Sequence, residues 1–236
     1  MTRYEVPSTA AMIRTLAGVT LKRLGRGKAL WIGVMFAALP VVYAGGIRAR
    51  SARFSTEHLS HLFQLSTLLL AVLPAMFVGA SVGEEIEDRT STYLWSRPIA
   101  RWAVLAGKLV ALTPIVVALS VGGWLAGTWA GSEAAPPLAS ILGLAAGAIA
   151  SSLVVAGIAV LVPKHGMALT IGYMLVDLFV GAMPFSLQQL SVTYQTATLA
   201  GFSTDPPSTV TSVIALVAIS GVWTAIGVTR IRRLEV

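Results

Sequence analysis

The stretch LASILGLAAGAIASSLVVAGIAVLVP, residues 138–163, decides the fold class because it runs for 26 residues without one charged side chain. A helix rises about 1.5 Å per residue, so about 20 apolar residues cross the roughly 30 Å hydrocarbon core of a bilayer. A strand of a membrane β-barrel would instead be about ten residues of alternating polarity. The stretch therefore predicts a membrane-spanning helix.

Five further apolar stretches have the same character. They cover residues 29–46, 65–83, 103–130, 167–185 and 209–228. With the first stretch they predict an all-α integral membrane protein whose residues 1–236 form a single transmembrane domain of six spans. Glycines recur at four-residue spacing within these spans, which allows helix backbones to approach closely in lipid. The glycines at this spacing are Gly79 and Gly83, then Gly123, Gly127 and Gly131, then Gly143 and Gly147.

The composition excludes a soluble protein. Of the 236 residues 56% are hydrophobic and only 11% are charged, with a mean hydropathy of +0.79, whereas soluble domains carry about 25% charged residues. The chain has no cysteine, which excludes disulfide scaffolds, cysteine–zinc sites and iron–sulfur clusters. The net charge of +7 comes from basic residues at the ends of apolar stretches, so it does not predict a nucleic-acid partner.

The distribution of lysine and arginine predicts the orientation of the chain. Six spans put both termini on one side, and that side carries 14 of the 17 basic residues. Only Arg48, Arg50 and Arg53 fall on the other side. Because short cytoplasmic loops are enriched in Lys and Arg, we expect a multi-pass protein of the cytoplasmic (inner) membrane with both termini in the cytoplasm.

Residues 8–28, STAAMIRTLAGVTLKRLGRGK, predict a basic amphipathic helix before the first span. Ser8 or Thr9 can cap its start, and Met12, Leu16 and Val19 share one face. Such a helix tends to lie in the membrane interface. The alternative is a positively charged leader that only fixes the orientation.

The loop after the second span combines charges with aromatic residues in an unusual way. Residues 83–112 read GEEIEDRTSTYLWSRPIARWAVLAGKLVAL. One interpretation is a short helix that lies against the membrane and presents a mixed surface to a partner, ending near Pro98. The other is an ordinary solvated loop in which Trp and Tyr anchor the chain at the interface.

The same loop resembles the signature of type-2 ABC transporter permeases. In that family an acidic patch and a Thr precede a leucine-rich stretch, a Pro-Ile/Val-x-Arg motif, and a Gly-Lys pair at the start of the third span. The matching positions are Glu87, Thr90, Leu94, Pro98, Ile99, Arg101, Gly107 and Lys108. The six spans and the basic amphipathic start extend the resemblance along the chain.

The resemblance implies that 84–102 is a cytoplasmic coupling helix that docks on a separate ATP-binding subunit. The residues it assigns to this contact are Glu84, Glu85, Glu87, Asp88, Arg89, Thr90, Tyr93, Leu94, Arg97 and Pro98. It also implies two permeases, identical or homologous, and two ATPases per transporter. The chain has no G-x-x-x-x-G-K-[ST] phosphate loop, so we expect a non-enzymatic subunit without catalytic residues, cofactor or metal. ATP and Mg²⁺ would bind the partner.

Asp177 is the one carboxylate well inside a predicted span. An ionisable residue there is expensive and normally faces a cavity or a partner. It could line the export path, bind a substrate cation, or stay protonated and form a structural hydrogen bond with a Ser or Thr of another span. The span could also end before Asp177, which would then meet water on the outer side. Lys108, near the start of the third span, is expected to extend its stem to the headgroups.

Two other polar stretches are less informative. Glu57, His58 and His61 have a spacing that could hold a metal ion, but a solvated loop without metal is the expected reading. The segment 186–208 is polar with interspersed apolar residues, and the resemblance suggests short re-entrant or interfacial helices there.

The function that these features favour is the permease subunit of an ATP-driven exporter. The alternative is an ion- or proton-coupled secondary transporter or channel that uses Asp177. A rhomboid-like intramembrane protease is excluded because the chain has no G-x-S-G nucleophile motif.

Overall fold

The computed structural model describes residues 8–50, 54–87, 101–183, 186–203 and 206–233, with the backbone alone for 84–87 and Arg101. Within these ranges the chain is built of helices joined by short turns, and no β-strand occurs. The α-helices are α1 (Thr9–Arg26), α2 (Ala29–Ala37), α3 (Leu39–Arg50), α4 (Thr56–Pro74), α5 (Ala80–Glu87), α6 (Arg101–Ser132), α7 (Leu138–Leu161), α8 (Gly166–Ala182), α9 (Val192–Ala200) and α10 (Thr209–Arg233). A π-helical turn covers Ala75–Gly79, and two 3₁₀ turns cover Pro163–His165 and Ser186–Leu190.

Six helical stretches of the described chain are long and apolar enough to cross a bilayer. They are Ala29–Arg50, Thr56–Gly83, Trp102–Ser132, Leu138–Leu161, Pro163–Ala182 and Thr209–Arg233. The prediction of an all-α membrane protein with six spans is therefore confirmed.

The second span begins at Thr56, nine residues before the start that hydropathy indicated. Ser55 caps this helix, because its hydroxyl accepts a hydrogen bond from the His58 amide at 3.3 Å. The Nδ1 atom of His58 in turn accepts from the Ser55 amide at 3.1 Å. This reciprocal pair satisfies two amide groups that would otherwise lack partners, so the polar first turns fold as helix.

The three prolines within spans have different consequences. The first span divides into α2 and α3 at Ala38, two residues before Pro40. Pro74 ends α4 and is followed by the π-helical turn. Pro114 lies inside α6, which continues without interruption to Ser132. Proline has no amide hydrogen, so it cannot donate the hydrogen bond that helix geometry requires. Neighbouring helices in a membrane protein can provide compensating contacts.

Glycines mark the closest approaches between helices, as their spacing predicted. A Cβ atom placed on Gly127 of α6 would lie 2.8 Å from Cβ of Pro40, and one on Gly143 of α7 would lie 2.7 Å from the Ala200 amide. A Cβ on Gly79 would lie 3.3 Å from Val155 Cγ1. These positions therefore pack directly against backbone or short side chains.

Among the described residues the apolar interior contains three clusters, and the smallest joins α7, α9 and α10 through Val154, Val192 and Leu216. The largest cluster surrounds Trp124, whose ring packs edge-on against Phe63 and Phe202 with centroids 5.4 and 5.8 Å apart. The second cluster joins α1, α6, α7 and α10 through Ala17, Leu105, Val160 and Ile231. We call the end that holds this second cluster the basic end, because Arg26, Lys164 and Arg230–Arg233 lie there.

Candidate functional site

The predicted partner contact lies mostly outside the described residues. Asp88, Arg89, Thr90, Tyr93, Leu94, Arg97 and Pro98 belong to 88–100, which the structure does not describe. Glu84, Glu85 and Glu87 lie in α5, and the chain is described again from Arg101, where α6 begins. The structure therefore describes the two arms of the segment 84–102: α5, which leads into it, and α6, which leads out.

Lys108 joins these two arms. Its side chain is 4% exposed, and its Nζ atom donates a hydrogen bond to the backbone carbonyl oxygen of Ser81 in α5. The expectation that its stem would reach the headgroups was therefore wrong. A carbonyl acceptor lies within reach inside the protein, so the amine donates a hydrogen bond without leaving the bundle.

Gly107, the residue before Lys108, contacts the N-terminal helix. A Cβ atom on Gly107 would lie 2.9 Å from Leu16 Cβ and 3.2 Å from the Ile13 carbonyl oxygen. The Gly-Lys pair therefore has one residue against α1 and the next against α5. The absence of a side chain at Gly107 is what allows α1 to lie on α6.

The helix predicted before the first span is present as α1. Ser8 caps it by accepting a hydrogen bond from the Ala11 amide at 3.3 Å. Of the predicted apolar face, Met12 and Leu16 are half-buried, whereas Val19 is exposed. Packing on α6 thus involves Ile13, Leu16 and Ala17, a face that is rotated slightly from the predicted one.

The turn between α7 and α8 adds a surface at the basic end that the sequence analysis did not single out. The carbonyl oxygen of Pro163 lies 3.2 Å from the Cβ position of Gly83, so this turn touches α5. A depression of about 490 Å³ opens there, lined in part by Ala80, Lys164 and His165. The turn is short, and nothing in its sequence indicates this contact, so only the folded arrangement brings it beside the arm of 84–102.

Asp177, near the far end of α8, is buried and binds the start of α9. Its Oδ1 atom accepts a hydrogen bond from the Val192 amide at 2.9 Å. Its Oδ2 atom accepts from the Thr193 amide at 2.9 Å and from the Thr193 hydroxyl at 2.6 Å. The Ser191 hydroxyl lies 3.1 Å from Oδ2. Together, the two carboxylate oxygens therefore accept hydrogen bonds from three consecutive residues.

The geometry around Asp177 is that of a carboxylate at a helix N-terminus. The first amides of a helix have no intrahelical acceptor, and a negative group is stabilised beside them. Ser191 also accepts from the Tyr194 amide at 3.1 Å, which is the usual capping bond. The available signal for this partner was Ser191, which precedes an uncharged nine-residue helix, but sequence separation hid the contact with Asp177.

Helix α9 is packed inside the bundle rather than lying on its surface. Val192, Gln195 and Thr196 are fully buried, and α9 contacts α7, α8 and α10. Gly201 ends it in the left-handed conformation, with φ +80°, which a residue with a side chain rarely adopts. Short helices in 186–208 were expected from the resemblance, and the described part of this stretch contains them.

An apolar groove of about 680 Å³ runs between α7 and α10. Ile149 and Leu153 line one wall, and Val217, Gly221 and Val228 line the other. Its surface presents almost only carbon atoms. Asp177 is not among its lining residues.

The Glu57, His58 and His61 cluster lies in the first turns of α4. His58 is part of the helix cap, and the His61 Nε2 atom lies 3.8 Å from a Glu57 carboxylate oxygen. In the described part of the chain no three His, Asp or Glu side chains come together in a metal-binding group.

A comparison with protein families finds one match over most of the chain. The family model described as "ABC-2 family transporter protein" matches residues 21–181. The matched region begins within α1 and ends in α8, so it includes the segment 84–102, Lys108 and Asp177. None of the curated proteins compared with the chain matches it.

Proposed function

Because the chain belongs to the ABC-2 transporter family, we propose that it is the permease subunit of an ATP-driven exporter. A family model that covers residues 21–181 and six helices of spanning length identify a multi-pass membrane subunit. The family match is the observation that carries the proposal. Export, ATP coupling and the partner are the parts that we add to it.

The energy is proposed to come from a separate ATP-binding subunit that docks on 84–102. The two arms of this segment lie at the basic end, beside α1 and the Pro163–His165 turn, so a docked partner would meet several elements at once. Because positive charge concentrates on cytoplasmic loops, the basic end is the end proposed to face the cytoplasm and the ATPase. ATP and Mg²⁺ are assigned to the partner subunit.

A second permease copy, identical or homologous, is expected to complete the transporter. In the most apolar 18 residues of the spans Ala29–Arg50, Pro163–Ala182 and Thr209–Arg233, only 22% of the residues are buried within the protomer, against 72% for Leu138–Leu161. Apolar surface of this extent is covered by lipid or by another transmembrane chain. The proposed translocation path lies between the two permeases.

The alternative, a secondary transporter with an ion or proton site at Asp177, receives less support from the geometry. All the described hydrogen bonds that the carboxylate accepts are donated by residues 191–193. This favours the structural role for Asp177 that the sequence left open, rather than a place in the translocation path.

Affinity purification from the native membrane tests the proposal. The chain is tagged at the C-terminus and solubilised in mild detergent, and the copurifying proteins are identified by mass spectrometry. We expect a chain that carries a phosphate loop, and we expect the complex to hydrolyse ATP. A purified chain that transports in vesicles without any nucleotide-hydrolysing subunit would contradict the proposal.

A further inference from the structure

The buried Lys108 calls for a function because an ionisable side chain inside a span is costly. It lies in the span Trp102–Ser132, between the buried residues Leu105 and Leu112. Ionisable residues in such positions are retained where they have a defined partner and a role. The partner here includes the carbonyl oxygen of Ser81.

This hydrogen bond spans the base of the segment 84–102. Ser81 lies three residues before the segment begins, and Lys108 lies six residues after it ends. At the rise of a helix these separations are about 4.5 and 9 Å along the two arms. The bond therefore joins the outgoing and returning arms within two helical turns of the segment itself.

The position of Ser81 relative to the π-helical turn gives this bond a mechanical consequence. The turn Ala75–Gly79 follows Pro74 and separates α5 from α4. Proline and π-turns are the places where helices bend. A displacement applied to α5 alone would be absorbed by bending there, instead of reaching the rest of the second span.

Helix α6 also contains a proline, Pro114, but it has no π-helical turn and stays α-helical past that proline. It runs without interruption from Arg101 to Ser132, and its Gly107 also packs on α1. The hydrogen bond from Lys108 to Ser81 lies between the π-helical turn and the segment 84–102. It therefore connects α5 to α6 without passing through the turn at which the second span can bend.

We propose that Lys108 is a positioning residue that holds the two arms of the segment 84–102 together, so that α5 and α6 move as one body when the partner subunit displaces the segment. The inference rests on the proposed function, since it assumes a partner that docks there. It identifies Lys108, within a membrane span, as a residue on which the transfer of that movement depends. Gly107 supports the same arrangement by keeping α1 against α6.

Spin-label distances test the arrangement of the arms without the partner. The chain has no cysteine, so Ala80→Cys together with Val104→Cys provides two unique labelling positions, one on each arm. Ala80 lines two surface depressions that leave room for a label. The measurement is made on the full chain in lipid nanodiscs, in the backgrounds Lys108, Lys108→Met and Lys108→Arg. Lys22→Met, which removes an exposed lysine of α1, is the matched control.

We expect one narrow distance distribution for the unchanged chain and for Lys22→Met. Lys108→Met should broaden it or add a second distance, because losing a hydrogen bond of this kind shifts an equilibrium by about ten- to hundredfold. Lys108→Arg should restore the narrow distribution, since it retains a donor. Equal distributions for Lys108→Met and the unchanged chain would overturn the inference.

ATP hydrolysis by the complex with the copurified partner provides the second readout. We expect Lys108→Met to bind the partner but to lose about tenfold or more of the ATPase stimulation by the permease. Joining the two cysteines in Lys108→Met with a short bis-maleimide should restore the stimulation, whereas a general loss of stability would not be repaired. Failure of that rescue would overturn the inference. If no ATP-binding subunit accompanies the unchanged chain, the proposed function fails, whatever Lys108 does to the arm distances.

Discussion

The Oδ2 atom of Asp177 lies 2.6 Å from the Oγ1 atom of Thr193, so this carboxylate near the end of α8 is held by the start of the short helix α9. The amides of Val192 and Thr193 complete the arrangement at 2.9 Å each. Asp177 thereby connects α8 to a helix that is buried among α7, α8 and α10. The contact joins α8 to α9 at the end of α8 that lies away from the basic end.

Replacing Asp177 by Asn should loosen α9. The side-chain NH2 group of Asn would point at the backbone N–H groups of α9, so two donors would face each other. One buried donor would then lack an acceptor, at a cost of about 1–3 kcal/mol. We expect a lower midpoint of thermal unfolding and faster hydrogen exchange of the α9 amides. Thr193→Val, which removes only the hydroxyl, should have a smaller effect. Unchanged exchange in α9 would show that the carboxylate does not hold this helix.

Two adjacent glycines of α6 should respond differently to the same substitution. A Cβ atom on Gly123 would collide with the backbone carbonyl of Ala37, whereas one on Gly122 would meet nothing within 4 Å. Gly123→Ala should therefore destabilise the protein by about 1–3 kcal/mol through overpacking. Gly122→Ala should be neutral or stabilising by up to about 1 kcal/mol, because alanine has the higher helix propensity. Chemical unfolding in mixed micelles measures both, and equal effects would contradict the close approach of α2 to α6.

The cap of α4 should contribute measurably to stability. Ser55→Ala removes the acceptor of the His58 amide and the partner of the His58 ring, and loss of such a cap costs about 0.5–2 kcal/mol. The control Ser60→Ala, within the same helix, should remain within about 0.5 kcal/mol. The free energy of unfolding, measured for both variants, tests this prediction. A larger loss at Ser60 than at Ser55 would be incompatible with the capping geometry.

Charge reversal in the segment 84–102 should weaken binding of the ATP-binding subunit. We expect Glu87→Lys combined with Asp88→Lys to weaken copurification of the ATP-binding subunit by about tenfold or more, since like charges would replace complementary ones at the contact. Insertion into the membrane should be unchanged. Glu57→Lys, which reverses a charge at the end of the bundle opposite the basic end, is the control. Normal binding and normal transport by the double variant would remove the assignment of 84–102 as the docking segment.

The six spans were predictable because each is a continuous apolar stretch, and apolar length alone is enough to identify a spanning helix. The glycine contacts followed from the same stretches, since four-residue spacing puts small residues on one helix face. The start of the second span at Thr56 was missed because hydropathy weighs Glu57, His58 and His61 as loop residues. The local cap at Ser55 made them helical.

The class of the protein follows from the sequence alone: an all-α membrane domain with six spans and a loop that resembles the permease signature. These properties depend on composition and on patterns within about 30 neighbouring residues, which can be read without knowing the fold. The tertiary structure decided the partners of the two membrane-embedded ionisable residues, Lys108 with Ser81 and Asp177 with residues 191–193. Three of these partners are backbone groups, which every residue carries, and the other two are the hydroxyls of Ser191 and Thr193. Only the packing of the helices determines which backbone group comes within reach of a given side chain.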